Sequence, residues 1–271
     1  MGQKRHIQQE ILKFILFLFF FLNHIFMKRH IPNLITSLNL AAGFFSIIYT
    51  FYGDLTTASW LILAAMIFDF FDGLSARVLK AYSEIGKELD SLADVVSFGV
   101  APAMIIFQLL CEMLSEPFPV SFTGSGIKTA LLVFSPVIMP VCAALRLAIF
   151  NTDVSQATSF KGLPTPASAL AVISLIFARQ YSDHDFMAFL TGSAALLIIF
   201  TIILSLLMVS RIPLFSLKTS HFRFKGNEGR YMLVFLTAAA LLLFGFGAAP
   251  MIIPLYIISS LVSLVFPQEK R

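Results

Sequence analysis

Four aspartates in one apolar part of the sequence are the residues best suited to chemistry: Asp69, Asp72, Asp90 and Asp94. The residues around them are apolar enough to be buried in a lipid bilayer, where an ionised carboxylate is costly and usually functional. Carboxylate oxygens are the ligands that hard divalent cations such as Mg²⁺ and Mn²⁺ prefer. The sequence therefore predicts a centre for Mg²⁺ or Mn²⁺ within a membrane protein.

The spacing of these aspartates predicts two helices that meet at a turn. In each helix the distinctive residues share one stripe: Asp69, Asp72, Gly73 and Ala76 in the first, and Gly86, Asp90 and Asp94 in the second. The polar segment 78–85 separates the two stripes. Because a helix rises about 1.5 Å per residue, an antiparallel pair brings the carboxylates to similar depths, roughly 12–20 Å from the turn.

Small residues and a cation accompany the carboxylates. Gly73 and Ala76 leave room on the same face for a bulky ligand, and the guanidinium of Arg77 suits a phosphate. One alternative is an acidic cluster that only joins two helices, but it leaves the glycines and the arginine unexplained. Another is the ion pathway of a transporter, which predicts acids spread over several helices. The clustering favours phosphoryl chemistry.

The same residues resemble the signature of the CDP-alcohol phosphatidyltransferase family. Every fixed position is present in the pattern Asp69-x2-Asp72-Gly73-x2-Ala76-Arg77-x8-Gly86-x3-Asp90-x3-Asp94. The resemblance implies a transferase whose aspartates hold Mg²⁺ or Mn²⁺, with Asp94 also accepting the proton of the acceptor hydroxyl. It further implies that the CDP part of the donor is bound by Gly73, Ala76, Arg77 and Gly86.

A second polar stripe opens the first predicted helix. Asn33, Thr36 and Asn39 are three residues apart and lie on one side of a helix. We expect them to line the same cavity, with Asn33 and Thr36 in contact with CDP. The alternative for Asn33 is ordinary capping of the helix.

Three further segments resemble the serine-specific branch of this family, the phosphatidylserine synthases: SLADVVSFGVAPA at 91–103, RLAIFN at 146–151 and FKGLPTP at 160–166. The resemblance implies transfer of a phosphatidyl group from CDP-diacylglycerol to L-serine, giving phosphatidylserine and CMP in phospholipid biosynthesis. Ile149 stands where this branch is expected to carry a basic residue, and archaeal synthases share the motifs. A different acceptor, glycerol 3-phosphate or inositol phosphate, is the alternative, and an ion-coupled transporter is a more distant one.

The carboxylate of a serine acceptor needs a cationic partner near the aspartates. Arg146 and Lys161 are cations on the side predicted to be cytoplasmic, and Asn151 ends the same helix as Arg146. We therefore expect these three residues to bind the acceptor. The alternative for Arg146 is a surface arginine whose charged end extends out of the membrane.

Composition identifies the elements that must position these residues. The chain of 271 residues is 58% hydrophobic and only 13% charged, and its mean hydropathy is +0.87. These values are typical of a polytopic membrane protein. We predict an all-α bundle of about eight transmembrane helices: Ile31–Tyr52, Thr56–Leu79, Ile85–Met113, Lys128–Phe150, Thr165–Gln180, Phe186–Val209, Tyr231–Phe246 and Met251–Phe266.

The N-terminal residues form a separate segment in this interpretation. Met1–Phe26 begins polar and then carries a Phe-rich run that is short for a membrane span. It is either an interfacial helix or upstream sequence that is not translated. Residues 27–271 form the membrane domain. Cys111 and Cys142 lie in apolar segments without metal-binding spacing, which predicts small core residues.

Loop charges predict the orientation. The loops after the even-numbered spans hold most of the lysines and arginines, whereas the opposite loops are mostly acidic. The aspartates then face the cytoplasm from the inner cell membrane. The net charge of +4 follows from these loops and requires no nucleic acid. The expected partners are membrane lipid and the two substrates; a homodimer is compatible with the sequence, which does not determine the oligomeric state.

Overall fold

The computed structural model describes residues 30–114, 126–152, 160–181, 192–214 and 228–263. Its helices are α1 (His30–Phe51), α2 (Leu55–Val78), α3 (Glu84–Asp94), α4 (Ala101–Met113), α5 (Gly126–Val133), α6 (Ile138–Thr152), α7 (Thr165–Tyr181), α8 (Ala194–Val209), α9 (Glu228–Phe244) and α10 (Ile252–Ser263). The predicted N-terminal segment Met1–Phe26 lies outside the described residues.

The described chain is helical almost throughout, as predicted, with one small exception. Strand β1 (Phe160–Lys161) pairs antiparallel with strand β2 (Pro213–Leu214), so that Phe160 lies opposite Leu214. Periodicity could not predict this pairing, because strands of two residues carry no pattern. The pairing joins the segment before α7 to the segment after α8.

The predicted number of eight spans is not confirmed. Within the described residues, three continuous helical segments are long and apolar enough to cross a membrane: His30–Phe51, Glu84–Met113 and Gly126–Thr152. Shorter apolar helices accompany them at Ala194–Val209, Gly229–Phe244 and Gly247–Ser263. The first of these has 16 residues, about 24 Å of helix, whereas the hydrocarbon core is about 30 Å thick. The start predicted for that span, Phe186, lies outside the described residues.

The hairpin that carries the aspartates begins at well-defined caps. Asp54 precedes α2 and accepts a hydrogen bond of 2.9 Å from the backbone nitrogen of Thr57. Hydrogen bonds from Thr57 lower the pKa of Asp54 below its usual value. Ser83 precedes α3 and accepts 3.0 Å from the backbone nitrogen of Gly86. These caps satisfy backbone donors at the start of each helix, so both helices begin at specified residues.

The third predicted span is one helical run from Glu84 to Met113 that changes pitch in the middle. A π-helical segment, Val95–Val100, separates α3 from α4 and directly follows Asp94. Such wide turns are rare and are frequently found at functional sites. Gly99 in this segment packs on α6, since a Cβ there would lie 3.0 Å from the Cβ of Ala143.

The core is formed mainly by α2, α4, α6, α7 and α8. Its largest fully buried side chains are Phe98, Ile62, Ile105, Ile106, Leu109, Leu110, Met139, Leu163, Ile173, Leu175, Leu197 and Met208. Both cysteines are buried and free, Cys142 in this core and Cys111 in a smaller apolar cluster beside it, in keeping with the prediction that they are core residues.

The segment before α7 is held tightly against the end of α8. Gly162 has a φ of +77°, and a Cβ at this position would lie 2.6 Å from the carbonyl oxygens of Met208 and Ser210. The backbone nitrogen of Gly162 donates to Ile212 at 2.9 Å, and that of Leu163 donates to Leu207 at 2.9 Å. The N–H of Gly162 is therefore used in a hydrogen bond within the fold and is not available to an anion.

Candidate metal centre and active site

Three of the four predicted ligand residues come together. Asp69 and Asp72 on α2 and Asp90 on α3 each offer a carboxylate oxygen, and these oxygens lie within 4.8 Å of one another. The two helices are joined by residues 79–83, and folding about this turn brings residues 21 positions apart into one cluster. We call Asp69, Asp72 and Asp90 the carboxylate trio.

The carboxylate trio fits a hard divalent cation. Its ligand atoms are oxygens only, as Mg²⁺ and Mn²⁺ prefer. One oxygen of Asp90, Oδ1, is buried and accepts no hydrogen bond from any residue that the structure describes. Asp72 is only 6% exposed. Buried carboxylates that are neither paired nor fully hydrogen-bonded are unstable without a cation, so the arrangement can bind a metal.

Helix α1 supports the trio through Thr36. Its hydroxyl lies 2.7 Å from Oδ2 of Asp72 and donates to it, with the carbonyl oxygen of Pro32 also within reach at 3.0 Å. Thr36 is buried, at 3% exposure. A hydrogen bond of this kind orients a ligating carboxylate and fixes which oxygen faces the metal. The contact with CDP that the sequence predicts for Thr36 stays a prediction.

Asp94 lies beside the trio but is not one of its mutually close carboxylates. The side-chain nitrogen of Asn39 donates to Oδ1 of Asp94 at 3.3 Å, and both residues are buried. The backbone carbonyl of Asn39 in turn accepts 3.0 Å from the hydroxyl of Ser97 in the π-helical segment. Asp94 thus has a hydrogen-bond donor of its own in Asn39, while its charge still interacts with those of Asp69, Asp90 and Asp72.

Asn39 is a site residue that the sequence predictions named only as part of a stripe. The available signal was its position three residues after Thr36, which places both on one face of α1. The structure shows what that face contacts: Thr36 meets Asp72 and Asn39 meets Asp94. Spacing identified the face, but only packing could identify the partner of each residue.

The residues predicted to bind CDP differ in how much space surrounds them. A Cβ at Gly73 would have only one neighbour within 4 Å, Nη2 of Arg77 at 3.8 Å, so this side of α2 is open. Arg77 is exposed, and its Nε donates to the carbonyl of Gly73 at 3.2 Å. Ala76, one turn further along, is half-buried. The face can therefore accommodate a bulky group next to a guanidinium.

Gly86 meets a different requirement. A Cβ there would lie 2.9 Å from Oδ1 of Asn33 and 2.9 Å from Oγ of Ser83. The missing side chain therefore lets the start of α3 approach α1, and Asn33 lies against α3. Its contact with CDP, like that of Gly86, stays a prediction.

Among the side chains that the structure describes, Arg146 is the most deeply buried cation. It is 5% exposed, and its Nε donates a long hydrogen bond of 3.4 Å to the carbonyl of Leu163. Its guanidinium carbon lies 5.4 Å from the centre of the Phe150 ring. Burial of this kind does not suit a surface arginine that extends out of the membrane. Ile149, the departure from the expected motif, is 44% exposed and lies outside this buried region.

Asn151 ties α6 to the hairpin. Its side-chain nitrogen donates to the Ser91 hydroxyl at 2.8 Å, and its carbonyl accepts 3.2 Å from Nζ of Lys87. The Asn151–Ser91 contact and the packing of Gly99 on Ala143 share one antiparallel register. This register brings Arg146 level with the residue two positions after Asp94, about 3 Å further along the axis.

The three residues predicted to bind the acceptor thus have different surroundings in the structure. Arg146 is buried at the depth of Asp94, and Asn151 makes contacts that position α3. Lys161 belongs to β1, and its side chain lies outside the described part of the structure. Binding of the acceptor by any of the three stays a prediction.

Comparison with known proteins adds independent information. A sequence model of the family described as CDP-alcohol phosphatidyltransferase matches residues 29–209. A protein of Bacillus subtilis (strain 168) named CDP-diacylglycerol–serine O-phosphatidyltransferase is 36% identical over 195 residues, covering 72% of this chain and 92% of its own length. A protein of Helicobacter pylori (strain J99) with the same name is 32% identical over 243 residues, 88% of this chain and 92% of the relative.

An archaeal relative is similar over a shorter range. A protein of Methanothermobacter thermautotrophicus named archaetidylserine synthase is 33% identical over 155 residues, 56% of this chain and 60% of its own length. The matched family range contains the whole aspartate pattern, the carboxylate trio and Arg146. The resemblance seen in the sequence is confirmed: this chain belongs to the CDP-alcohol phosphatidyltransferase family.

Proposed function

We propose that this protein transfers the phosphatidyl group of CDP-diacylglycerol to the hydroxyl of L-serine, releasing CMP and forming phosphatidylserine. One observation carries the proposal: a carboxylate trio suited to a metal lies beside the separately held Asp94, and the buried Arg146 lies at the depth of Asp94. The names of the bacterial relatives support serine as the acceptor.

Asp69, Asp72 and Asp90 would hold Mg²⁺ or Mn²⁺. When bound, the cation neutralises charge on the pyrophosphate of the donor and makes CMP a better leaving group. The hydrogen bond from Thr36 would hold the carboxylate of Asp72 in place beside those of Asp69 and Asp90. Gly73 leaves the face of α2 open for the nucleotide, and Arg77 supplies a guanidinium for a phosphate oxygen.

Asp94 is the proposed base. Asn39 occupies Oδ1 of Asp94, and the remaining oxygen can accept the proton of the serine hydroxyl. The serine oxygen then forms a bond with the lipid-side phosphorus, while the bond from that phosphorus to the oxygen of CMP breaks. Charge neutralisation and positioning supply most of the rate in such transfers.

Arg146 is the proposed partner of the serine carboxylate. A guanidinium binds a carboxylate through two parallel hydrogen bonds, and burial strengthens the pair. Because Arg146 and Asp94 lie at similar depths on adjacent helices, one small amino acid can present its carboxylate to the first and its hydroxyl to the second. Lys161 and Asn151 would contribute at the edge of this site.

The location follows from the same assignment. The protein has helices fit to cross a membrane, and residues 27–271 would form one membrane domain. The excess of lysine and arginine in one set of loops favours an inner-membrane protein whose carboxylate trio opens to the cytoplasm. CDP-diacylglycerol, a nucleotide-linked lipid, and serine are available on that side.

The test is CMP release by the purified full-length protein with CDP-diacylglycerol and one acceptor at a time. We expect release with L-serine, none above background with glycerol 3-phosphate or inositol phosphate, and loss of activity in EDTA that Mn²⁺ or Mg²⁺ restores. The exposed Ile149 in place of a basic residue is the specific reason to include the other acceptors. A preference for either phosphorylated alcohol over serine would reject the proposed acceptor while leaving the family unchanged.

A further inference from the structure

The buried guanidinium of Arg146 has more hydrogen-bonding capacity than the described protein uses. Arginine carries several N–H donors in a planar fork, yet the contact that Nε of Arg146 makes with the carbonyl of Leu163 is long, at 3.4 Å. Among the described residues, the ion pair between Arg179 and Glu112 does not involve Arg146. A buried cation of this kind needs other groups to hold it in place.

Tyr256 on α10 is the group nearest to that role. It is 6% exposed and belongs to the same apolar core as Leu163, whose carbonyl Arg146 contacts. Helix α10 packs against β2, and β2 pairs with β1, two residues before Leu163. The phenol lies within electrostatic range of the guanidinium. A hydrogen bond joins the hydroxyls of Tyr256 and Ser260, one turn apart on α10.

We propose that Tyr256 is a positioning residue that holds Arg146 for the carboxylate of the amino-acid acceptor, and that α10 thereby completes the acceptor subsite. The inference rests on the proposed function, since it assumes a carboxylate-bearing acceptor. It assigns a role to a helix that follows the range matched by the family model, which ends at residue 209.

The physical basis is the shape of the two side chains. A phenol oxygen accepts a hydrogen bond from one edge of a guanidinium and leaves another edge free for two parallel bonds to a carboxylate. The hydrogen bond with Ser260 restricts the rotation of the hydroxyl, so its lone pair has a defined direction. The aromatic ring fills the apolar core while its polar end remains near the charge.

A simpler interpretation is that Tyr256 is an ordinary core tyrosine whose hydroxyl is satisfied by Ser260. The two interpretations differ in what the hydroxyl affects. A core tyrosine influences the amount of folded protein. Its loss therefore lowers the apparent kcat for every acceptor and leaves both Michaelis constants unchanged. A positioning tyrosine influences the Michaelis constant for the acceptor and the choice between acceptors with and without a carboxylate.

The experiment compares Tyr256→Phe, Ser260→Ala and the control Tyr49→Phe in the full-length protein. Tyr49 is an exposed tyrosine on α1 and is remote from the proposed acceptor residues. For each variant, kcat and both Michaelis constants are measured, together with the kcat/KM ratio for serine over ethanolamine, which lacks the carboxylate. Thermal unfolding in the same detergent reports the integrity of the fold.

For Tyr256→Phe we expect the Michaelis constant for serine to rise about tenfold, the size of effect that loss of one hydrogen bond to a charged group produces. The Michaelis constant for CDP-diacylglycerol and the melting temperature should change little. The preference for serine over ethanolamine should fall by a similar factor. Ser260→Ala should show the same pattern more weakly, and Tyr49→Phe should behave as the wild type.

The inference alone is overturned if Tyr256→Phe turns over serine like the wild type with an unchanged acceptor preference, or if both Michaelis constants change equally. Loss of folded Tyr256→Phe protein also overturns it, because the hydroxyl then serves the fold. If the wild type releases no CMP with serine, the proposed function fails first and this inference fails with it. The two failures are therefore distinguishable.

Discussion

The side-chain nitrogen of Asn39 on α1 donates to Oδ1 of Asp94 at 3.3 Å, one turn along the helix from the contact between Thr36 and Asp72. One face of the first described helix therefore orients two of the four signature aspartates. The two contacts differ in consequence. Thr36 supports a member of the carboxylate trio, whereas Asn39 holds the carboxylate that lies beside it.

This difference predicts that Asp94→Asn separates binding from chemistry. Asparagine keeps the size of the side chain but cannot act as a base, and loss of a positioned base lowers kcat about 10²–10⁴-fold. The trio remains, so binding of CDP-diacylglycerol and Mn²⁺ should persist. Asp72→Asn removes a trio carboxylate and should weaken both. Donor binding and turnover measured over a metal titration decide the matter, and equal loss of binding in both variants would make Asp94 a ligand instead.

Thr36→Val should weaken the metal site without removing a ligand. Valine matches the shape of threonine but cannot donate to Asp72. Loss of such a supporting contact typically lowers metal affinity about 10–100-fold. The measurement is the Mn²⁺ concentration for half-maximal binding and activity. Ser37→Ala is the matched control, since the exposed Ser37 hydroxyl donates only to the carbonyl of Asn33; an equal effect in the control would attribute the change to α1 in general.

Arg146→Lys should raise the Michaelis constant for serine more than that for CDP-diacylglycerol. Lysine keeps the charge but lacks the planar fork that binds a carboxylate through two bonds, and we expect an increase of about tenfold or more. Lys161→Ala, at the predicted edge of the same site, should show a smaller effect in the same direction. Equal changes for both substrates in Arg146→Lys would remove the assignment of Arg146 to the acceptor.

Gly162→Ala should destabilise the fold beyond what its backbone angle explains. A Cβ at Gly162 would overlap two carbonyl oxygens at 2.6 Å, whereas Gly53, with a similar φ of +79°, has nothing within 4 Å. Gly53→Ala should therefore show only the cost of a positive φ, about 1–2 kcal/mol, and Gly162→Ala should exceed it. Melting temperatures of the two variants in one detergent make the comparison. Similar losses would show that the chain shifts to relieve the overlap.

Deletion of Met1–Phe26 should leave expression and activity intact. The predicted membrane domain begins at residue 27, and the family match begins at residue 29. The cationic Lys4 and Arg5 also oppose the charge bias expected if this segment crossed the membrane. Activity per mole of purified protein, compared between the full and shortened chains, is the measurement. A shortened chain that is degraded or inactive would show that the segment supports the fold.

The sequence by itself determined the helical class, the aspartate hairpin and the family. Helical spacing placed Asp69 and Asp72 on one stripe and Asp90 on another, and a short polar turn required the two stripes to meet. The predicted bounds of α2, Thr56–Leu79, differ from Leu55–Val78 by one residue at each end. These features are local, because periodicity, caps and a short connection are enough to specify them.

The tertiary structure alone decided which polar residue serves which partner. It assigned Thr36 to Asp72, Asn39 to Asp94 and Asn151 to Ser91, and it brought Tyr256 near Arg146 from a helix more than a hundred residues away. It also showed that Gly162 faces backbone carbonyls. Such contacts depend on the register between helices distant in sequence, and that register is set by packing of the whole core and not by the pattern of any one segment.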